Sequence, residues 1–378
     1  MNGAENLIRT ALAGGVDICF ANPGTTEMPL VAALDSVPGM RAVLGLFEGV
    51  CTGAADGYAR MSGKPAMTIL HLGPGLANGL ANLHNARRAN SPIVNVIGDH
   101  ATWHRDADPP LASDIVSLAT PMSGWVRVTK SARELGDDMA DAIAASLTPP
   151  GKVATLIVPS DCQWDDAPAS AKSARAPKRE RVAGATVDKI AGVLRGNKPV
   201  TILLGGHALG VPGLNAAALI AAASGCRLMT ETFAARIERG AGIPSPARLP
   251  YFPEQALEAL AGTHTIVLAG AKLPVAFFGY PGLPSRLVPE GCTVEMLAKP
   301  EEDVTGALED LAGALGAAKT IAPPKAERPA LPTGGKLNPA NLGAALAALQ
   351  PDNAIIVDES ATSGGPYGAM AAGARPHT

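Results

Sequence analysis

The chain has 378 residues, of which 47% are hydrophobic, 17% charged and 3% aromatic, and its formal net charge is −3. That length exceeds one ordinary core and points to two or three domains, while the apolar content excludes a disordered chain. The near-balanced charge offers no electrostatic grip on nucleic acid or an anionic membrane, so neither is expected as a partner. Cys19, Cys51, Cys162, Cys226 and Cys292 lie far apart with no CxxC pair, which predicts reduced thiols rather than zinc or a disulfide framework. No uncharged apolar run approaches the roughly 20 residues that span a bilayer. The N-terminus has no basic and apolar leader pattern. These features predict a cytoplasmic protein.

In chain order, VDICF (16–20), AVLGL (42–46), AMTIL (66–70), IVNVI (93–97) and VATLIV (153–158) read as buried strands. Helix-like stretches lie near 3–14, 26–35, 49–61, 76–88 and 131–147. Apolar runs alternating with helices predict a doubly wound, parallel α/β domain over 1–166, covered on both faces. Residues 167–185 lose periodicity and read as a linker. A second α/β pattern fills 186–318, with strands TILLGG (201–206), CRLMT (226–230), TIVLAG (265–270) and CTVEML (292–297). Helices fit near 186–195, 212–224, 254–261 and 302–316, and a Pro-rich linker follows at 322–336. The segment 338–378 then offers one helix, NPANLGAALAALQ, and one strand, AIIVDES (354–360), which is too little for a domain.

Four motifs follow strand ends. In ANPGTTEM (21–28), Pro23 and Gly24 make a turn, and Thr25 or Thr26 can cap a helix. Glu48 follows the run AVLGLF, where a partly desolvated carboxylate suits proton exchange; the plain alternative is a helix-start acid favoured by the dipole. His71 ends the third strand, and Gly73, Pro74 and Gly75 predict a loop whose backbone can approach a flat ligand, with Asn78 just beyond. His71 alone also reads as a structural histidine. His100 and His104 fall in a polar loop after the fourth strand, which reads as a solvated loop rather than a metal pair. Thr25, Glu48, His71 and His100 therefore gather at the carboxyl end of one predicted sheet, where α/β domains bind ligands.

The succession NPGTTE, FEGVCTGAADGYAR, LHLGPGLANGLANLHNA and SPIV resembles the pyrimidine-binding domain of thiamine diphosphate-dependent enzymes, in the acetolactate synthase and benzoylformate decarboxylase group. The resemblance implies a Rossmann-like central domain next and the opening of a diphosphate-binding domain at 338–378. It implies that Glu48 bonds the aminopyrimidine ring of the cofactor and promotes the tautomer that activates the thiazolium. It also implies that Pro23, Gly24, Gly73, Pro74, Gly75 and Asn78 border the cofactor. His71 and Thr25 match catalytic and substrate-contacting positions of benzoylformate decarboxylases, and His100 is placed on the substrate side. The implied reaction is decarboxylation of a 2-oxo acid, with carboligation as in acetolactate synthases or without it as in benzoylformate decarboxylases. The implied assembly is a homodimer or homotetramer.

One departure stands out. The family holds Mg2+ and the diphosphate through a GDG motif followed by Asn-Asn, and this sequence has no GDG. The Mg2+ ligands are therefore expected outside these residues, and a truncated, non-catalytic or partner-dependent subunit is the alternative to an enzyme. Flavin, which acetolactate synthases often hold, has one candidate loop, GGHALG (205–210), without a specific flavin pattern. A nucleotide-binding oxidoreductase is disfavoured, because neither half shows G-x-G-x-x-G between a strand and a helix followed by an acid.

Overall fold

The computed structural model describes every residue except 169–176, 321, 323–325 and 361. Much of the first predicted linker and part of the second lie outside the described residues. Two compact units result, Met1–Lys178 and Arg179–Thr378.

The first unit is built on a six-stranded parallel sheet of β1 (Ile18–Asn22), β2 (Arg41–Leu44), β3 (Ala66–His71), β4 (Ile93–Asp99), β5 (Trp125–Val128) and β6 (Val153–Pro159). The strand order is β2-β1-β3-β4-β6-β5. Helices α1 (Gly3–Ala13), α2 (Met28–Ser36), α3 (Glu48–Ser62), α4 (Leu72–Ala89), α5 (Ile115–Ala119), α6 (Leu135–Leu147) and α7 (Ser160–Trp164) complete it. Alternation along each strand separates two cores. Met67, Ile69, Val94 and Val96 pack with Leu7, Ile8 and Leu30. Ala66, Leu70, Ile93 and Ile97 pack on the opposite face with Ala55, Leu76 and Leu83. Burial of both faces explains the near-continuous apolar runs.

Inside the sheet, Thr68 Oγ1 donates to Asn95 Oδ1 over 2.7 Å, and Asn95 Nδ2 donates to Thr155 Oγ1 over 3.1 Å. This polar line crosses β3, β4 and β6 with none of the three residues exposed, so each polar atom depends on its neighbour.

The second unit carries a five-stranded parallel sheet. Its strands are β7 (Val200–Leu204), β8 (Arg227–Thr230), β9 (Ala247–Arg248), β10 (Thr265–Ala269) and β11 (Thr293–Ala298), in the order β11-β10-β7-β8-β9. Its helices are α8 (Gly184–Leu194), α9 (Val211–Ser224), α10 (Pro253–Ala259), α11 (Val304–Ala314), α12 (Pro339–Leu349) and α13 (Gly365–Met370). The expected strand at 354–360 does not form. Ala354 makes one isolated bridge to His377, and Val357 is 86% exposed. Among the described residues, the pairing goes no further than the Thr378 N–H donating to the Ala354 carbonyl over 3.0 Å and the Ile356 N–H donating to the Thr378 carbonyl over 2.9 Å. Ala347, Tyr367, Ala371 and Ala374 form a small core of their own, fastened by Tyr367 Oη donating to Gln350 Oε1 over 2.7 Å.

Candidate active site

From β1 the chain steps outward to β2 and then returns across the sheet to β3. The crevice of such a sheet opens where this order reverses, outside the carboxyl ends of β1 and β3. The residues after Asn22 and after His71 therefore flank it.

Glu48 is the first residue of α3, after an extended Phe47 that supplies no side-chain cap. A carboxylate at this position is favoured by the partial positive charge of the helix end. Asn78 Nδ2, from α4, donates to Glu48 Oε2 over 3.0 Å. The two helices are tied beneath this contact. Thr52 Oγ1 donates to the Gly79 carbonyl over 3.0 Å, and Asn82 Nδ2 donates to the Gly49 carbonyl over 2.7 Å. A Cβ on Gly75 would stand 3.4 Å from Glu48 Oε1 and 3.5 Å from His71 Cβ. Bare Gly75 is thus the floor between these two side chains.

His71 closes β3, and its Nδ1 lies 2.8 Å from Glu27 Oε2 and 3.1 Å from Thr26 Oγ1. Glu27 is fully buried. Its Oε2 also accepts the Gly24 N–H over 2.7 Å, and its Oε1 accepts the Thr26 hydroxyl. Two glycines make the room. A Cβ on Gly24 would fall 2.3 Å from His71 Nδ1, and one on Gly98 would fall 1.7 Å from Glu27 Oε1. Gly98 pairs in register with His71, so Glu27 lies against the adjoining ends of β3 and β4.

Two local expectations change. Gly73, Pro74 and Gly75 form the first turn of α4, which starts at Leu72, rather than a loop. Proline is tolerated there because first-turn N–H groups lack intrahelical acceptors anyway. The sharp turn falls on buried Leu72, at a φ of 53°, a backbone state costly for a branched side chain. Likewise, neither Thr25 nor Thr26 caps α2. Glu27 occupies the cap position and reaches back to the Gly24 N–H instead.

The remaining predicted residues spread around this centre. Thr25 is exposed on the one-turn 3-10 helix Thr25–Glu27, and Pro23 is half-buried ahead of it. Gly73 is buried where a Cβ would meet the Ser113 side chain at 2.4 Å, so its bareness serves chain packing. His100 follows β4, its ring edge-on to His104 with centroids 6.0 Å apart, and its buried Nε2 has no hydrogen-bond partner. Its backbone N–H donates to Asp99 Oδ1 over 2.7 Å. Burial pushes the Asp99 carboxyl above its ordinary range, against the pull of Arg105, whose Nη2 lies 2.7 Å away from Oδ2. Structure thus gathers Glu48, Asn78, Gly75 and His71, and it adds Thr26 and Glu27. The signal for Glu27 in the sequence is its spacing of three from Gly24, which fits a reciprocal helix-start bond.

In the second unit, GGHALG ends β7 and leads through a 3-10 turn into α9. The Val211 N–H, first of α9, donates to Glu238 Oε2 over 2.6 Å, and Pro212 has no N–H to offer. A Cβ on Gly205 would fall 2.7 Å from the Ala271 Cα, so the ends of β7 and β10 close on each other. The residues at this loop do not fit a flavin diphosphate.

Residues 1–118 match the family described as thiamine pyrophosphate enzyme, N-terminal TPP binding domain. Over its full length the chain is 53% identical to a Mycobacterium tuberculosis protein named "Putative acetolactate synthase large subunit IlvX", and it covers 72% of that protein. Benzoylformate decarboxylase of Pseudomonas aeruginosa is 33% identical over 41% of this chain and 29% of its own length. The thiamine diphosphate-dependent 4-hydroxybenzoylformate decarboxylase of Rhodococcus jostii RHA1 shares the fold. Its TM-score is 0.82 at 23% identity, over 99% of this chain and 74% of that one. Among the described residues, no helix is long and apolar enough to cross a membrane. A switch-point crevice with its carboxylate at a helix start, together with the full-length likeness to the mycobacterial protein, establishes that the chain belongs to the thiamine diphosphate-dependent enzyme family.

Proposed function

We propose that this chain provides the pyrimidine-binding side of a thiamine diphosphate site that decarboxylates a 2-oxo acid and joins the product to a second carbonyl compound, as acetolactate synthases do. The observation that carries the reading is Glu48, held by Asn78 at the start of α3 and facing bare Gly75. Those residues fit a flat aminopyrimidine: one carboxylate for a ring nitrogen and a floor without a side chain. Bound there, the cofactor supplies the electron sink that 2-oxo acid decarboxylation requires. Glu48 would hold the ring by one charge-assisted hydrogen bond. Gly75 would leave room for it, and His71 would offer an imidazole for proton transfer.

In this reading, residues 1–166 are the pyrimidine-binding domain, 186–318 a central domain and 338–378 the opening of a diphosphate-binding domain. Among the described residues, no group of three or more His, Cys, Asp or Glu side chains is placed to hold a metal ion. A cytoplasmic homodimer or homotetramer belongs to the same proposal. Exposed Leu44, Leu46, Phe47 and Val50 around Glu48 support burial of this rim by another chain. A simple decarboxylase of the benzoylformate type is the second reading, and the His71–Glu27 pair favours it. A partner-dependent subunit is the third, favoured by exposed Ile355 and Val357.

The test is a calorimetric titration of the 378-residue chain with thiamine diphosphate and Mg2+, repeated with Glu48→Gln, followed by turnover assays with pyruvate and benzoylformate. Binding that Glu48→Gln weakens at least tenfold, about 1.4 kcal/mol, supports the site. Equal binding by both proteins overturns it. Product analysis then separates carboligation from release of an aldehyde.

A further inference from the structure

We infer that Glu27 is a positioning residue for His71: it fixes the proton on Nδ1 and leaves Nε2 as the ring nitrogen available at the open end of the sheet. The role assigned to Nε2 rests on the cofactor reading above. The tautomer rests on geometry alone.

A fully buried carboxylate is costly unless donors surround it. Three converge on Glu27, namely the Gly24 N–H, the Thr26 hydroxyl and His71 Nδ1. The Gly24 amide can only donate, and an ionised carboxylate can only accept. Nδ1 at 2.8 Å is therefore the nitrogen that carries the proton. Its second neighbour, Thr26 Oγ1, already directs its hydrogen to Glu27 Oε1 and offers Nδ1 a lone pair. The ring is held from one edge. The His71 side chain is 22% exposed while that of Glu27 is 0% exposed, so the pair stands at the boundary of the core with the acid on the buried side. A histidine oriented by a buried carboxylate in this way keeps one tautomer and one ring angle, which is what a proton-transferring imidazole requires.

The fold gives up side chains to build the pair. Gly24 and Gly98 lie on two different strand-end segments, and a Cβ on either would overlap His71 or Glu27. A histidine that served packing alone would need neither the buried acid nor the two gaps.

The experiment is side-chain 15N NMR of His71 in the full chain, with His71→Gln used to assign the signals. Wild-type protein is expected to show the Nδ1–H tautomer as the major neutral form. An Nε2–H tautomer in the wild type overturns the inference without any variant. Glu27→Met fills the same space but removes the oxygen that accepts from Nδ1 and frees the Thr26 hydroxyl to donate there, so it is expected to shift at least half the population to Nε2–H. A folded Glu27→Met protein with the wild-type tautomer also overturns the inference. Titration of the wild type with thiamine diphosphate tests the cofactor reading separately. A tautomer shift without any cofactor binding in the wild type leaves the positioning role standing and removes the cofactor reading.

Discussion

Asn78 donates from Nδ2 to Glu48 Oε2 over 3.0 Å, so α4 sets the direction of the carboxylate with which α3 begins. Asn78 is exposed and makes no contribution to the core. Asn78→Ala should leave the melting midpoint unchanged and weaken thiamine diphosphate binding by about five- to tenfold, the scale of roughly 1 kcal/mol for one hydrogen bond at an exposed position. Calorimetric titration of the variant beside wild type checks this.

Asn95 is the middle of the polar line through the first sheet. Asn95→Ala removes both of its bonds and strands the Thr68 hydroxyl where water cannot reach it, while Thr155 keeps its 2.7 Å contact with Ser123 Oγ. The expected cost is about 2–4 kcal/mol, from two lost bonds and the unpaired hydroxyl left behind. Denaturant unfolding followed on a signal of the first unit measures it. Asn95→Ala combined with Thr68→Val should cost less than the sum of the singles, since the stranded hydroxyl is gone.

Glu231 sits beyond β8, where burial pushes its carboxyl above the ordinary range while the Gly206 N–H and Lys272 pull it down. A folded-state value above the unfolded one means that folded protein holds the proton longer as pH rises. This group's contribution to stability is therefore lost as pH climbs from the unfolded value through the folded one. Glu231→Gln keeps an acceptor for the Gly206 N–H and carries no charge. It should raise the melting midpoint at neutral pH, and the gain should vanish at pH values below the unfolded carboxyl's range. Thermal scans across acidic to neutral pH decide it, and a gain independent of pH would rule out burial of charge as the cause.

At the start of α9, Glu238 occupies the Val211 N–H that an anionic ligand would need. Purified chain should show no visible flavin band and no saturable binding of flavin dinucleotide. Glu238→Ala should destabilise the helix start by about 1 kcal/mol, as loss of a cap does. A tight flavin complex in the wild type would show that this loop rearranges.

The central strands of the parallel sheets were legible because they are buried on both faces, and runs such as AMTIL have few other uses, whereas the AVLGL run forms an edge strand, β2, that is mostly exposed. Strand β5 escaped reading because Arg127 interrupts it at the sheet edge, where its guanidinium covers the Trp125 ring at 4.9 Å. The AIIVDES run has strand composition, but a strand also needs an edge to join, and composition does not report that. Glu48 and His71 were legible as polar residues directly after apolar runs. Glu27 was not, because an acid at a helix start normally faces water; its burial depends on Gly98, which the chain reaches only three strands later. The composition of Gly-Pro-Gly suggests a loop, whereas proline and glycine both suit the first turn of a helix that begins at a strained residue.

The overlap between Glu27 Oε1 and the place a Cβ would take on Gly98 has a consequence for how such sequences diverge. The two positions share one volume, and only one of them can fill it. A lineage in which position 98 gains even a methyl group must shorten position 27, and the buried acid beside His71 goes with it. The pair should therefore be inherited as a unit, and relatives should divide into those with a bare residue at the end of the fourth strand and an acid after the first, and those with neither.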